Sequence, residues 1–488
     1  MAVVPIAEYR PDVSDLNTAV TADIGNVLCA DGSYIPFPGL NTYSDALPAA
    51  PLAAIMARTL SGGISIFAGT NEKLWVLNNT TLEWDDVSQT GATYNANSNA
   101  PWSFAQFGPY VIAVNPNDDP QVLELGVDTE FRDLGGSPPR AAIVRVWGDF
   151  VVLLCLTTNP DRLQWSGLND AEFWTPGSNN SDYQTFPDGG RIQGSTEATN
   201  PIIFQERAIR RATFVPGSVE VFTFQKIHDH RGAKSPHSIA TRGSFAFYAD
   251  EGGFFQIGAD GGLAPIGYEK VDRTIFGGVS AVNISRMRGA VDPFYSRVYW
   301  AVDVSGDGGF DTLLVYDWNL QRWSRASVEM RHLFAAATTG VTLEGLDDIS
   351  ASLDALPFSL DSKVWQGGAP VLAAFDTDFE LGFFSGQPME ALITTQEMGD
   401  TSGLMTTVTE FVPIVDTLDL FAAIGSRPRR ERFTQLTWTD EQTPSSNTGV
   451  VKKRARSRFH RFRVRIPTES SWSHFQGVDV KSFPSGRR

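Results

Sequence analysis

Cysteine is nearly missing from this chain of 488 residues: only Cys29 and Cys155 occur, neither within a metal-ligand or redox spacing. A disulfide framework and a zinc ribbon are thereby set aside, and both thiols are expected to be reduced, buried small hydrophobes. No apolar run approaches the roughly 18 residues that a membrane-spanning helix needs, so no membrane span is expected. The opening MAVVPIAEYRPDVSD lacks a basic segment followed by an apolar one. A Sec-type signal is therefore not expected, and synthesis should end in the cytoplasm. Catalytic signatures are equally scarce: there is no G-x-S-x-G, no H-E-x-x-H, no Walker loop, and no G-x-G-x-x-G between a strand and a helix. Asp and Glu are plentiful, but nothing singles out a glycosidase pair. No catalytic residue is assigned and no enzyme is expected.

Helical periodicity is sparse as well. Its best candidates are LPAAPLAAIMAR (47–58), which two prolines interrupt, and DDISASLDAL (347–356). Strand patterns dominate instead. YVIAVN, DFVVLLCL, SFAFYAD, RVYWAVDV and TLLVYDW are β-branched or aromatic runs of about four to eight residues bounded by Gly, Asn, Asp or Pro. With 44 Gly and 28 Pro as punctuation, the chain reads as all-β.

The strands recur in units. KLWVLNNTTLEWDDVS, QVLELGVDTEFRDLG, DRLQWSGLNDAEFWTPG, GGFFQIGADGGLAPIG and LLVYDWNLQRWSRAS each give a strand, a short turn and a second strand ending in an aromatic or apolar residue. SVEVFTFQ and SKVWQGGAPVLAAF extend the series, at spacings of roughly 35 to 60 residues that overlap those of propeller blades. One small antiparallel sheet cannot bury both faces, so several must pack around an axis with aromatic side chains between them. Trp165, Phe173 and Trp174 are expected to be such packing residues. The fold expected is a six- or seven-bladed β-propeller with its N-terminal arm over residues 1–395, followed by a further β-rich, basic C-terminal domain over 396–488.

Charge also divides the chain, further along, at Arg427. The net charge is -17, yet the segment from Arg427 onward carries fifteen Lys/Arg against five Asp/Glu, leaving about +10 there and about -27 on the rest. In KKRARSRFHRFRVRIP, strand alternation puts His460, Phe462, Val464 and Ile466 on one face and Arg461, Arg463 and Arg465 on the other. That basic face is either paired with acids of the same chain or a candidate interface with an acidic partner or a nucleic-acid backbone.

Two weaker constellations bear on metals. In AVDVSGDGGFDTLLVY, Asp303, Ser305, Asp307 and Asp311 stand at positions one, three, five and nine with Gly308 at six, as oxygens converging on calcium would; this resembles the calcium loops of integrin-type propellers. Leu314 at position twelve excludes an EF-hand, and Asp-Gly-Gly serves equally as a polar hairpin tip. His228, His230 and His237 form a conceivable three-imidazole set without diagnostic companions. No firm cofactor or metal is assigned.

Several stretches together resemble the tail nozzle, or packaged-DNA stabilisation, proteins of short-tailed bacteriophages (podoviruses). They are DVSDLNTAVTADIGNVLCADGSYIPFPGL, IFAGTNEKLWVL, DRLQWSGLNDAEFWTPG, VYWAVDV with LLVYDWNLQRWS, and RFHRFRVRIPTESSWSHFQGVDV. The resemblance implies a virion tail component assembled in the host cytoplasm: a homo-hexameric ring below the portal and adaptor. Such a ring retains packaged genome, borders tail spike or fibre proteins, and later passes DNA without sequence-specific binding. It transfers no catalytic residue. A carbohydrate-binding or glycoside-cleaving propeller is the alternative, since loop ends of such folds host ligand sites.

Overall fold

β-Branched and aromatic runs cut by Gly, Asn and Asp turns fold here into short antiparallel strands. The computed structural model describes residues 2–13, 20–21, 23–59, 62–218, 220–243, 245–337, 370–399, 404–429 and 436–486. Among them, seven four-stranded antiparallel sheets follow one another: sheet 1 (53–86), sheet 2 (103–133), sheet 3 (141–185), sheet 4 (192–229), sheet 5 (240–265), sheet 6 (288–330) and sheet 7. Sheet 7 joins His332–Ala337, Pro370–Phe375 and Glu380–Pro388 to Pro38–Ala46 from the start of the chain. Sheets 1, 2 and 3 meet through their first strands, as do sheets 5, 6 and 7, and the first strand of sheet 7 returns against that of sheet 1. The arrangement is propeller-like and nearly all-β.

Four of the sequence units are outer hairpins of these sheets, whereas DRLQWSGLNDAEFWTPG supplies only the third strand of sheet 3, whose partner Asp182–Thr185 lies beyond it. KLWVLNNTTLEWDDVS supplies Leu74–Leu77 and Trp84–Asp86, and LLVYDWNLQRWSRAS supplies the third and fourth strands of sheet 6. Between the sheets lie aromatic wedges. Phe222 of sheet 4 receives Trp147, Phe150 and Trp165 of sheet 3 at ring-centroid distances of 5.5, 5.3 and 5.3 Å. Trp174 is buried between sheets 2 and 3, whereas Phe173 is only half-buried. Each wedge needs an acceptor for its indole N–H. Trp147 Nε1 donates to Ser195 Oγ at 2.9 Å, Trp102 Nε1 to the Thr70 carbonyl at 2.8 Å, and Trp300 Nε1 to the Ser238 carbonyl at 3.0 Å, each across a sheet boundary. Trp84 of sheet 1 donates to Ser44 Oγ and the Asp45 carbonyl, fastening the closing strand of sheet 7.

Two six-stranded sheets pack face to face beside this wheel. One contains Thr406–Val415 and Phe475–Pro484, the other Phe421–Arg427 and Phe459–Ile466, and Phe411 meets Phe462 across them at 5.0 Å. Strand pairing runs across the expected boundary at residue 395. Ala2–Pro5, Val27–Ala30 and Ser33–Pro36 belong to the first of these sheets, and Ile24–Gly25 and Ala391–Thr394 to the second. One apolar cluster continues from this sandwich into Phe254, Trp300 and Trp323 of sheets 5 and 6.

Helix is confined to Asp272–Gly278, Ala281–Arg286 and a 3-10 turn among the described residues. The segment 47–58, expected as helix, instead yields the strand Ala53–Arg58, where Ala53 and Ala57 are small enough to be buried as a first strand near the axis. Residues 347–356, the other helical expectation, lie outside the described residues. Among the described residues no helix is long and apolar enough to cross a membrane. Cys29 and Cys155 are free and buried.

Candidate functional site in the axial cavity

The strand Phe459–Ile466 alternates as its sequence dictates: His460, Phe462, Val464 and Ile466 are fully buried, with the three arginines opposite. Each arginine already has a carboxylate of its own chain. Arg461 Nε stands 3.9 Å from Glu397 Oε2, and Arg427 Nε binds the same oxygen at 2.6 Å, all three side chains being buried. Arg463 Nη2 reaches Asp23 Oδ2 at 3.1 Å and stacks over Trp438 at 4.0 Å. Arg465 holds Glu441 with Nη2–Oε2 at 2.5 Å and Glu390 at 3.0 Å, lying over Phe421. The pairing with Arg465 holds the Glu441 carboxyl below its ordinary range. Of the readings the sequence left open for this strip, pairing with acids of the same chain is the one the structure shows.

Of the candidate calcium residues, Asp303, Ser305 and Asp307 sit in the connection between Arg297–Val302 and Phe310–Asp317, and Asp311 is the second residue of the latter strand. Asp303 is buried; its Oδ1 accepts from Gly306 N at 2.6 Å and its Oδ2 from Gly308 N at 3.0 Å. Asp311 accepts from Val304 N and Ser305 N, while Asp307 is exposed. Gly306 and Gly308 adopt φ of 88° and 86°, which side-chain-bearing residues rarely take, so the Asp-Gly pattern is explained by the turn itself. His228 Nε2 contacts the Gly261 carbonyl at 2.7 Å, His230 is exposed, and His237 lies elsewhere, in the axial cavity. Among the described residues no three His, Cys, Asp or Glu gather as a metal would require.

A concavity of about 420 Å³ opens where the leading ends of the first strands converge, and all seven sheets or their connections contribute to its wall. Its charged lining is mainly cationic, Arg191, Lys234, Arg286, Arg288 and Arg331 against the carboxylates of Glu206 and Asp303, with His237 among its neutral polar groups. Arg191, Lys234 and Glu206 are exposed and mark the mouth, while Arg286, Arg288 and Arg331 are half-buried further in. The positions arise separately. Arg286 ends the helix Ala281–Arg286, Arg288 opens sheet 6, Arg331 sits in the connection from sheet 6 to sheet 7, and Lys234 precedes the 3-10 turn Pro236–Ser238.

Arg288 Nη2 donates to the Leu52 carbonyl at 2.9 Å, across from sheet 6 to sheet 1. The Nε groups of Arg286 and Arg331 are hidden from solvent and find no acceptor. Burial pushes the Arg288 guanidinium down to about 10, which still leaves it charged at neutral pH. His237 is held well below its ordinary range by burial first, then by Arg288, Arg145 and His332, so it is neutral there. Cys155 lines the same wall in a left-handed backbone conformation (φ 56°), and burial raises its thiol while Arg191 opposes the rise. No local sequence signal marks this site, because its cations are scattered from residue 191 to residue 331.

No family model matches the chain, and no curated protein matches it. Solved structures with similarity include the computationally designed Ika8 protein, at 8% identity and a TM-score of 0.38, over 74% of this chain and 95% of that one. The extracellular domain of a putative one-component system from B. thetaiotaomicron has 12% identity and a TM-score of 0.42, over 82% of this chain and 47% of that one. YCF48 bound to D1 peptide has 12% identity and a TM-score of 0.37, over 61% and 92%. The architecture above rests on this chain's own strand pairing.

Proposed function

We propose that this protein is a structural subunit of a short-tailed phage tail, a seven-bladed propeller with an attached sandwich that assembles into a nozzle ring below a portal and adaptor. The observation that carries the reading is mechanical: the first 46 residues tie the whole molecule together. Pro38–Ala46 completes sheet 7, Ala2–Pro5 and Val27–Pro36 complete the sandwich, and Asp12 accepts from Arg273 N at 2.7 Å and Thr274 N at 2.8 Å at the helix beginning at Asp272. A chain stapled in this way resists shear between its two parts, as a conduit under pressure requires. The same opening segment is among those that carry the resemblance to the nozzle family.

In this reading DNA passes between subunits, because the wheel's own cavity of about 420 Å³ is far too small for a duplex. A net charge of -17 suits a conduit that repels phosphates and lets them slide. The ring holds six copies, borders spike or fibre proteins, and performs no reaction. Negative-stain microscopy of the purified protein, alone and with its adaptor, is expected to give rings with an axial opening. A monodisperse monomer that turns over a glycan, with turnover lost on substituting one carboxylate, would establish the carbohydrate-active alternative and overturn this reading.

A further inference from the structure

We propose that the axial cavity is a binding site for a small multivalent oxyanion of the phosphate or polyphosphate class. The inference stands apart from the nozzle reading and rests on the cavity alone. Five permanent cations line it against two carboxylates, and both oxygens of Asp303 are already engaged by Gly306 and Gly308. Among the described residues, none of Arg191, Lys234, Arg286, Arg288 and Arg331 has a carboxylate within 4.0 Å, although eighteen Lys or Arg ion pairs form elsewhere among them. Elsewhere among the described residues the fully buried arginines are paired, as Arg427 and Arg461 are on Glu397, while the half-buried Arg162, Arg322 and Arg325 also lack a carboxylate within 4.0 Å; what sets the cavity apart is the convergence of five such cations on one concavity. Concentrating unpaired guanidinium groups in one concavity is costly unless an anion completes it.

The donors specify the ligand. Guanidinium forks match the oxygens of phosphate in pairs, and lysine adds a mobile charge at the entrance. The excess of three positive charges selects a multivalent anion over chloride, and the volume admits more than one phosphoryl group. Exposed Arg191 and Lys234 at the mouth draw the anion in, while Arg288, Arg286 and Arg331 receive it further down. Bridging residues at the entry to sheet 4, at the start of sheet 6 and in the connection to sheet 7, a bound oxyanion ties the hub of the wheel together.

Isothermal titration of the full-length protein with inorganic phosphate and with pyrophosphate, in buffer matched to constant ionic strength with KCl, tests this. Saturable binding near one anion per chain is expected, tighter for pyrophosphate, with a rise in melting temperature that KCl does not reproduce. Arg288→Gln should weaken binding about tenfold or more. Because Arg288 also holds Leu52, Arg191→Gln and Lys234→Ala provide variants at exposed positions, each expected to weaken binding about threefold while leaving the far-ultraviolet circular dichroism unchanged. Glu206→Gln should strengthen it. Absence of saturable binding, equal stabilisation by KCl, or unchanged affinity in folded Arg191→Gln and Lys234→Ala would each overturn the proposal.

Discussion

Two groups of basic side chains in this molecule are built on opposite terms. On Phe459–Ile466, Arg461, Arg463 and Arg465 stand two residues apart and each meets a carboxylate brought from a distant part of the chain: Glu397, Asp23, and Glu390 with Glu441. Around the axis, Arg191, Lys234, Arg286, Arg288 and Arg331 come from separated segments and converge without any such partner among the described residues. A basic row that is conspicuous in sequence is thus satisfied in structure, while the unsatisfied cluster is one that no sequence window contains. Local charge density tells little about available charge; what counts is whether folding supplies the counter-ion.

The largest effect that would sharpen this contrast is expected on the sandwich side. Glu397→Gln removes the negative centre beneath Arg427 and Arg461, and stability measured by urea unfolding should fall by about 3 kcal/mol, the usual consequence of breaking a buried pair from one side. A loss well under 1 kcal/mol would show that the sandwich does not depend on its internal pairing. The contrast also has a mirror image in a carboxylate that lacks a cation. Burial pushes Asp272 up to about 7, with the negative charge of Asp12 reinforcing the rise and the Phe254 N–H opposing it. The unfolded carboxyl titrates near ~4, so between pH ~4 and ~7 the native state binds the additional proton, and stability falls as pH rises through that window. Asp272→Asn should flatten this part of the pH–stability curve and stabilise the protein at pH 8 by about 3 kcal/mol, read by urea unfolding at pH 5 and pH 8.

Smaller effects should differ in sign between the two groups. Arg465→Ser removes a partly exposed pair and a contact over Phe421 and should cost up to about 1 kcal/mol, less at high salt. Arg191→Gln, in buffer without multivalent anions, should instead stabilise by about 0.5 kcal/mol, an effect that fades with added salt. Thermal unfolding of both variants across a KCl series checks the pair; the same sign for both would dissolve the distinction.

What was legible in the sequence follows the same division between local and remote information. The outer hairpins were readable because KLWVLNNTTLEWDDVS and its counterparts carry period-two patterning around turn residues, and Trp165 and Trp174 were readable as wedges because small sheets that pack side by side need large aromatics between them. The alternation of Phe459–Ile466 was equally plain. First strands were harder. Ala53–Arg58 lies where neighbouring sheets crowd the axis, so it is built from small residues whose composition favours helix in isolation, and tertiary packing overrides that preference. The helix Ala281–Arg286 was missed although Ser280 caps it, its Oγ accepting from Asn283 N at 3.2 Å, because a six-residue helix leaves too short a period to detect. The split at residue 395 followed composition, whereas strand pairing recruits residues 2–5 and 24–36 into the far sandwich, a choice made by contacts 367 to 478 residues apart in sequence. The axial cations share that remoteness.

Closure of sheet 7 by Pro38–Ala46 has a temporal consequence. That strand leaves the ribosome before any of the seven sheets, yet the edge it covers, Glu380–Pro388, emerges more than 300 residues later. Throughout synthesis one early segment must wait as an unpaired ribbon while six sheets form, so the last ring-closing event is slow and exposed to mispairing, including exchange of this ribbon between neighbouring nascent copies.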